Sequence, residues 1–185
     1  MSSTVIQRHR WVREEYERMV AAGVFHPEAR LELIDGEVVN MTPQGSQHAT
    51  AVQLAEDALR KVFSTGYITR VQMPLALEED SEPEPDMAVV PGSPRDYRDA
   101  HPESALLVVE VADATLAFDR DQKKRLYART GVPEYWIVDL IDRHLEIYRN
   151  PRGEEYRFHS IARPGESVSS PIAAEEKIPV SELMS

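Results

Sequence analysis

The sequence of 185 residues contains no cysteine. Disulfides and thiolate zinc sites are therefore excluded, and a bound metal would need oxygen or nitrogen ligands. The chain does not depend on an oxidising compartment for its stability. It also lacks an apolar run of the roughly 18 residues that span a membrane, and its start, MSSTVIQRHR, has no apolar signal-peptide core. These absences predict a cytoplasmic protein that does not enter a membrane.

Several motifs of common enzyme classes are also missing. There is no glycine-rich phosphate loop and no G-x-S-x-G elbow. The histidines His26, His101, His144 and His159 are dispersed and show no metal-ligand spacing such as H-x₃-H. A Ser-His-Asp triad stays open by sequence, although no serine is marked for that role.

Positive charge is scarce. The chain has 21 Lys and Arg against 32 Asp and Glu, which gives a formal net charge of −11. Phosphate-backbone binding normally rests on clustered Lys and Arg, so this balance argues against avid nonspecific binding of DNA. A local basic face stays possible, because basic residues gather in the middle of the chain: Arg95, Arg98, Arg120, Lys123, Lys124, Arg125 and Arg129.

Apolar periodicity predicts an α/β fold. Helices are expected over Trp11–Ala22, from Ser46 as N-cap to about residue 64, and from Thr115 to Thr130. The pair Asp35-Gly36 predicts a two-residue hairpin in LELIDGEVVNM. Strands are expected over Tyr67–Leu77, after Asp86, over Ala105–Ala112 and over Tyr135–Leu140, followed by two antiparallel strands in HLEIYRN and EYRFHS.

The order of these elements predicts a mixed central β-sheet flanked by helices, with an N-terminal helix and hairpin and a C-terminal antiparallel extension. Strand, helix and strand over residues 105–140 indicate a parallel crossover. The polar loop of residues 91–104 is long enough to approach a substrate. The stretch from Ala162 to Ser185 is expected to be an extended tail that ends in a short helical turn. We expect one domain over residues 1–185, with its core at about 31–150.

Two carboxylates interrupt this apolar pattern. Asp86 precedes the run MAVV, and Glu110 follows the run ALLVV, so both acids are expected beside buried strands. A carboxylate there must be compensated by a cation, by hydrogen-bond donors or by a raised pKa. Two such acids converging on one point would form an oxygen-ligand site for Mg²⁺ or Mn²⁺. A lysine in the following helix could reach the same place.

Each of these residues also has a simpler interpretation. Asp86 follows a proline and could cap a turn. Glu110 could form a buried ion pair with Arg120 or Lys123 without any metal. Lys123 could be solvated, as most helical lysines are.

The run Leu31–Tyr148 resembles the Uma-type endonuclease branch of the PD-(D/E)XK nuclease superfamily. The similarity is carried by LELIDGE, GSQH, QMPL, EPDMAVV, LLVVEVAD, DRDQKKRLYA and GVPEYWIVDL. It makes Pro85-Asp86 the Pro-Asp pair and Glu110 the second acid. The usual lysine would fall at residue 112, where this chain has alanine, and the resemblance instead implies a lysine that has moved into the helix, at Lys123.

The resemblance implies a restriction-endonuclease-like core and a site for Mg²⁺ or Mn²⁺. Its metal ligands would be Asp86, Glu110 and the backbone carbonyl of Val111, with Lys123 and Glu32 as further catalytic residues. His48, Gln72 and Arg120 are the expected substrate-binding residues. Glu32 could equally be the polar face of a strand, and His48 a capping or surface residue.

The implied activity is metal-dependent hydrolysis of phosphodiester bonds, with DNA as the expected nucleic acid and a homodimer as the expected assembly. The alternative is an inactive nuclease-like fold that binds nucleic acid or a protein partner. The acidic balance and Ala112 keep that alternative open.

Overall fold

The structure is a computed structural model that describes residues 8–41 and 43–184. Residues 1–7, Thr42 and Ser185 of the expected domain lie outside the described residues. The helices are α1 (Arg13–Ala21), α2 (Ser46–Val62), α3 (Leu116–Phe118) and α4 (Lys124–Arg129), with a π-helix over Asp119–Lys123. The strands are β1 (Leu31–Ile34), β2 (Glu37–Asn40), β3 (Tyr67–Val71), β4 (Met87–Pro91), β5 (Leu107–Ala112), β6 (Glu134–Asp139), β7 (His144–Arg152), β8 (Glu155–Ala162), β9 (Ser167–Val168) and β10 (Ile178–Pro179). Short 3₁₀ helices cover Pro94–Tyr97, Pro171–Ala173 and Val180–Glu182.

The main sheet has six strands in the order β3-β4-β5-β6-β7-β8. Strands β5 and β6 are parallel, and the other neighbours in this sheet are antiparallel. The predicted mixed sheet with a parallel crossover is therefore confirmed. Strands β1 and β2 form a separate hairpin, and β9 pairs with β10.

The central strands are apolar because both faces of the sheet are covered. Every residue of β5 and of β6 is buried. Ala51, Ala55 and Leu59 of α2 pack on one face, and Tyr127 of α4 packs on the other. The central strands are thus shielded from water, and a charged side chain placed on them needs a specific partner.

The N-terminal hairpin turns as the sequence predicts. Asp35 and Gly36 have φ values of 51° and 72°. Positive φ at both central residues is the requirement of a type I′ turn. The turn sets the register in which Glu32 pairs with Val39.

Strand β3 and helix α2 differ from their predictions. The strand expected to reach Leu77 ends at Val71, because Gln72 adopts a φ of 49° and turns the chain out of the sheet. Helix α2 starts at Ser46 with Gly45 as its N-cap and without a side-chain cap, so the prediction that Ser46 is the cap is wrong.

The helix predicted over 115–130 is not regular. The π-helix over Asp119–Lys123 joins α3 to α4. A π-turn inserts an extra residue into the helix, which changes the direction of every side chain that follows. A regular spacing of 3.6 residues per turn therefore does not describe residues 119–123.

The C-terminal stretch is not a peripheral tail. Val168, Ile178, Val180, Leu183 and Met184 belong to the core on the α2 face of the sheet. The expected helical turn is present as the 3₁₀ helix Val180–Glu182. Among the described residues, no helix has the length and apolar character needed to cross a membrane.

Candidate functional site

The sheet places Asp86 and Glu110 side by side. Asp86 directly precedes β4, and the antiparallel pairing of Met87 with Val109 brings it opposite Glu110 on β5. The Asp86 backbone N–H donates to Oε2 of Glu110 at 3.2 Å, and the Val111 N–H donates to Oδ2 of Asp86 at 2.9 Å. Both acids are buried, with 7% and 3% of their surfaces exposed. Their carboxylates lie on the same side of the sheet, as a shared metal site requires.

Lys123 joins this pair from the π-helix. Its Nζ lies 3.0 Å from Oε1 of Glu110 and 3.2 Å from the Glu32 carboxylate. The lysine is 1% exposed, so a solvated lysine is excluded. The ion pair that the alternative interpretation of Glu110 required is therefore present with Lys123. We call Glu32, Asp86, Glu110 and Lys123 the site cluster.

Glu32 reaches the cluster from β1 and is 2% exposed. Its Oε1 accepts a hydrogen bond from Lys123. Its Oε2 lies 3.2 Å from the same nitrogen, but without the geometry of a hydrogen bond. Glu32 is thus part of the site rather than the polar face of an exposed strand.

The π-helix separates two sets of side chains. Asp119, Lys123 and Tyr127 are spaced by four residues, and Tyr127 donates from its hydroxyl to Oε1 of Glu110 at 2.8 Å. Arg120 and Lys124 point away from this site. Arg120 donates to Asp139 and Glu146, and Nζ of Lys124 lies 5.5 Å from the centre of the Tyr148 ring.

His48 and Gln72 are brought to the site, whereas Arg120 is not. Nε2 of His48 and Nε2 of Gln72 each lie 3.2 Å from Oδ1 of Asp86. Gln44 adds a longer contact to the same oxygen at 3.5 Å. The positive φ of Gln72 directs its amide to this point after β3 ends. In this structure, His48 and Gln72 therefore hold Asp86.

The site cluster lines a pocket of about 130 Å³. Six acids face this pocket: Glu32, Glu84, Asp86, Glu110, Asp113 and Asp119. Its basic side chains are Lys123, Arg30 and His48. Acidic side chains therefore outnumber basic ones in the wall of this pocket.

Burial and charge act differently on these acids. Burial raises the pKa of Glu110 against the opposing charge of Lys123. Burial likewise raises the pKa of Glu32 to about 7 and that of Asp119 to about 7. The pKa of Asp86 is lowered, because hydrogen bonds from His48 and the Val111 N–H outweigh its burial. Burial alone would lower the pKa of Lys123, but Glu110 and Glu32 hold it well above its usual range.

Sequence reasoning missed Tyr127, Asp119 and Gln44. The first two were detectable, because they stand four residues on either side of Lys123 and thus on its side of the helix. Asp119 is 2% exposed and accepts a hydrogen bond from the Thr115 hydroxyl at 2.7 Å. Gln44 lies in a loop, and no periodicity marks it.

The residues present fit a hard divalent cation. Asp86 and Glu110 offer adjacent carboxylates, Val111 lines the same pocket, and among the described residues the buried Glu32 Oε2 finds no hydrogen-bond donor. Mg²⁺ is commonly bound by one or two carboxylates together with water and substrate phosphates. The excess of acids over bases in the pocket favours the same kind of ligand.

A second acidic group lies at the turn between β6 and β7. Within residues 8–41 and 43–184, Asp139, Asp142 and His144 are the one set of three such side chains whose ligand atoms lie within 4.8 Å of one another. Asp139 is already engaged: Oδ1 accepts from the N–H groups of Ile141 and Asp142, and Oδ2 accepts from Arg120. It acts as the cap of this turn. We call Arg120, Asp139, His144 and Glu146 the strand cluster.

Comparisons with known proteins agree with this architecture. The model of the Uma2 family, described as "Putative restriction endonuclease", matches residues 13–180. A crystal structure of "a putative nuclease belonging to DUF820" from Anabaena variabilis ATCC 29413 superposes with a TM-score of 0.72 at 17% sequence identity, covering 94% of this chain and 97% of that one. No curated protein matches the chain. The family match spans most of the sequence, and the chain belongs to the Uma2 family of restriction-endonuclease-like proteins.

Proposed function

We propose that the protein is a metal-dependent endonuclease that hydrolyses phosphodiester bonds of DNA. The observation that carries this proposal is the meeting of Asp86, Glu110 and Lys123 in one acidic pocket at the edge of a buried sheet. Two strands and one helix must be held in register to bring these three charges together. A purely structural ion pair would not need the additional acids that face the same pocket.

The chain's own residues would divide the chemistry among them. Asp86, Glu110 and the Val111 carbonyl would hold Mg²⁺ or Mn²⁺, with Glu32 acting through water. When bound, such an ion polarises a phosphate oxygen and makes water a stronger nucleophile. Lys123 places positive charge beside the reacting phosphate, where negative charge grows in the transition state. His48 and Gln72 hold Asp86 in the orientation that the ion requires.

A homodimer is part of this proposal, because cutting both strands of a duplex needs two sites. Strand β8 lies at one edge of the main sheet and exposes Phe158 and Ile161. An exposed edge strand can pair with a second copy. A cytoplasmic location also belongs to the proposal, since the chain contains no cysteine.

A cleavage assay tests the central activity. Supercoiled plasmid and a linear RNA are incubated with the protein in Mg²⁺, in Mn²⁺ and in EDTA. We expect nicking or linearisation of DNA only with a divalent ion, strongly reduced by Asp86→Asn and by Lys123→Ala and retained by Lys124→Ala. Cleavage that survives EDTA or Asp86→Asn would overturn the proposal.

The second candidate is a nuclease-like binding module without catalysis. It is favoured by the enclosure of Lys123, whose ammonium is shared between Glu110 and Glu32 and is almost inaccessible. This candidate predicts oligonucleotide binding that is unaffected by Lys123→Ala, with no cleavage in either metal.

A further inference from the structure

The acidic pocket shares part of its wall with a second depression. A groove of about 410 Å³ shares Arg30, Met41 and Pro43 with the pocket wall. It runs along the base of the β1-β2 hairpin and also includes His26 and Glu28. We call this depression the hairpin groove. A molecule whose reacting group lies in the pocket would reach the groove past these three residues, which line both depressions.

The two walls of the pocket differ in charge. The wall formed by the connection from β5 to α3 and by the π-helix contributes Asp113 and Asp119. The hairpin wall contributes Arg30 together with Glu32, whose carboxylate is already paired with Lys123. Lys123, the other strong base in the pocket, is 1% exposed and already paired with two carboxylates. A phosphate chain leaving the pocket is thus repelled by the first wall and attracted by the second.

Arg30 is directed towards the site by strand geometry. Its carbonyl accepts a hydrogen bond from the Met41 N–H at 2.8 Å, which extends the hairpin pairing by one residue pair. Side chains two residues apart on a strand share a face, so Arg30 lies on the same face as Glu32. Within the described part of the chain, the Arg30 guanidinium has no hydrogen bond and no ion pair with a carboxylate. Its charge still reaches the pocket, because it opposes the burial that raises the pKa of Glu84.

His26 supplies a second donor in the groove. Its Nδ1 lies 3.2 Å from the Glu28 backbone N–H and accepts from it. The neutral ring therefore carries its proton on Nε2, and that N–H is available to an acceptor. The Glu28 carboxylate is the one acid lining the groove, so the groove is far less acidic than the pocket.

We propose that the hairpin groove binds the phosphate backbone of the nucleic-acid strand next to the bond that is cut, with Arg30 as the residue that contacts the neighbouring phosphate. This inference rests on the proposed nuclease function and assigns the direction in which the strand leaves the site. It also explains how a chain with a net charge of −11 can hold a polyanion: one unpaired cation faces the substrate path while the acids are gathered around the metal. His26 adds a hydrogen bond further along the groove.

Binding of a labelled DNA single strand of about 12 nucleotides tests the inference, since single-strand sites span about 4 to 16 nucleotides. Affinity is measured by fluorescence anisotropy in Ca²⁺, which takes the same oxygen ligands as Mg²⁺, and a denaturing gel checks that the strand stays intact. Arg30→Gln is compared with Arg60→Gln, a matched change of charge at an exposed residue of α2 that pairs with Glu56. Metal-induced stabilisation of each variant is recorded in parallel.

Loss of one phosphate contact should reduce the slope of log K against log salt by about 0.7. That change corresponds to about a five-fold weaker affinity at about 0.1 M salt. We expect this loss for Arg30→Gln, no loss for Arg60→Gln, and metal stabilisation that is retained in both. Equal losses in the two variants would show a general charge effect and overturn the assignment, as would an unchanged affinity of Arg30→Gln.

A neutral methylphosphonate placed at successive linkages of the strand gives a sharper result. One linkage should weaken binding to the wild-type protein, and that weakening should disappear in Arg30→Gln because the partner charge is already gone. Additive losses at every linkage would contradict a direct contact. If the wild-type protein is stabilised by metal but binds no strand at low salt, the nucleic-acid substrate itself is wrong and this inference fails with it, while the metal site stands.

Discussion

The site cluster and the strand cluster are built alike and differ in how far their charges are compensated. Glu110 and Glu146 lie in one row across the sheet, since Ile137 pairs with both of them. Lys123 reaches the first acid and Arg120 the second, both from the π-helix. Burial raises the pKa of Glu110. The pKa of Glu146 is lowered despite its burial, because it accepts hydrogen bonds from Arg120, Tyr148 and His144.

The difference lies in the number of acids that each cation must serve. Lys123 faces Glu110, Glu32, Asp119 and Asp86, and each of them adds to the negative charge around it. Glu146 shares Arg120 with Asp139 and also has His144 within 3.3 Å. The strand cluster is therefore satisfied from within the protein, whereas the site cluster leaves negative charge that a divalent cation can neutralise. We infer the candidate site from this excess of acids over cations, more than from the presence of buried acids alone.

The largest loss of stability is expected when the cation of each cluster, Lys123 or Arg120, is replaced. Lys123→Met removes the partner of two buried carboxylates and should lower the free energy of unfolding by about 3 to 5 kcal/mol, measured by urea denaturation. Arg120→Met should cost less, about 1 to 3 kcal/mol, since the Arg120 side chain is 38% exposed and His144 remains beside Glu146. Lys124→Met is the control and should change stability by no more than about 0.5 kcal/mol. A larger loss at Lys124 than at Lys123 would reverse the comparison.

The next largest difference between the two clusters is expected in how much a bound metal stabilises the protein. Mn²⁺ at about one hundred times its Kd should stabilise the folded protein by about 2.7 kcal/mol, which raises Tm by about 5 to 10 °C for a chain of this size. Glu110→Gln should abolish most of that increase, whereas Glu146→Gln should keep it despite a lower starting Tm. Glu56→Gln on α2 serves as the neutral control.

Variants of the metal-free protein distinguish repulsion from compensation at the site. If Asp86 and Glu110 mainly repelled each other, removal of either charge would stabilise the metal-free protein. The lowered pKa of Asp86 shows that its charge is held by donors, and Asp86→Asn should therefore destabilise the metal-free protein. Glu32→Gln should be neutral or stabilising, because burial raises the pKa of Glu32 to about 7. Equal effects of these two changes on Tm in EDTA would contradict the electrostatic description.

The pH dependence of stability should have opposite signs for two buried acids: Glu82, which lies outside both clusters, and Glu146 of the strand cluster. Burial and the neighbouring Glu17 raise the pKa of Glu82 to about 7, and its Oε2 accepts no hydrogen bond. Between the unfolded value near 4.5 and about 7, the folded protein binds a proton that the unfolded chain does not, so stability falls as pH rises. For Glu146 the folded pKa is the lower one, so its contribution is present above the unfolded value and is lost as pH falls through the folded pKa.

Urea denaturation in EDTA, repeated at several pH values between about 4.5 and 7, measures the change of stability with pH for both acids. Glu82→Gln should reduce the fall by at most about 1.4 kcal/mol per pH unit, the value for one proton. Glu146→Gln should leave the fall in place and lower stability at neutral pH. If Glu82→Gln leaves the slope unchanged, Glu82 is not protonated in the folded protein at neutral pH.

The smallest difference is expected between two buried tyrosines. Tyr127→Phe removes a hydrogen bond to the Glu110 carboxylate and should cost about 1.5 to 3 kcal/mol, since bonds to charged groups are the stronger ones. Tyr135→Phe removes a bond of 3.2 Å to the Asp119 carbonyl and should cost about 0.5 to 1.5 kcal/mol. Weaker Mn²⁺ binding is expected for Tyr127→Phe alone, measured by calorimetric titration. Equal Mn²⁺ affinities in both variants would mean that Tyr127 does not support the metal ligand.

Much of this arrangement could be predicted from the sequence because it depends on local patterns. Apolar strands with one acid each identified Asp86 and Glu110, and the pair Asp35-Gly36 identified the hairpin that carries Glu32. The family resemblance supplied Lys123. These residues are signalled by their immediate neighbours in the chain.

The remaining features of the site depend on contacts between residues that are distant in the sequence. The π-turn that separates Lys123 from Arg120 follows from how the helix packs on the sheet, and an α-helical wheel cannot show it. Arg120 was expected near the substrate, but Glu146 and Asp139, which it contacts, are distant in sequence. Val180 and Leu183 were expected in an extended tail because the stretch before IPVSELM has few apolar residues, although both are buried in the core.

Anomalous diffraction from a crystal soaked in Mn²⁺ tests the central claim most directly. We expect one strong anomalous-difference peak between the carboxylates of Asp86 and Glu110, near the Val111 carbonyl. This peak should be lost in a Glu110→Gln crystal. Peak height at the turn of Asp139, Asp142 and His144 should stay at the background level, because Arg120 is shared there by two acids, Asp139 and Glu146, whereas Lys123 faces four. A peak only at that turn, or none between Asp86 and Glu110, would contradict the assignment of the site cluster as the metal centre.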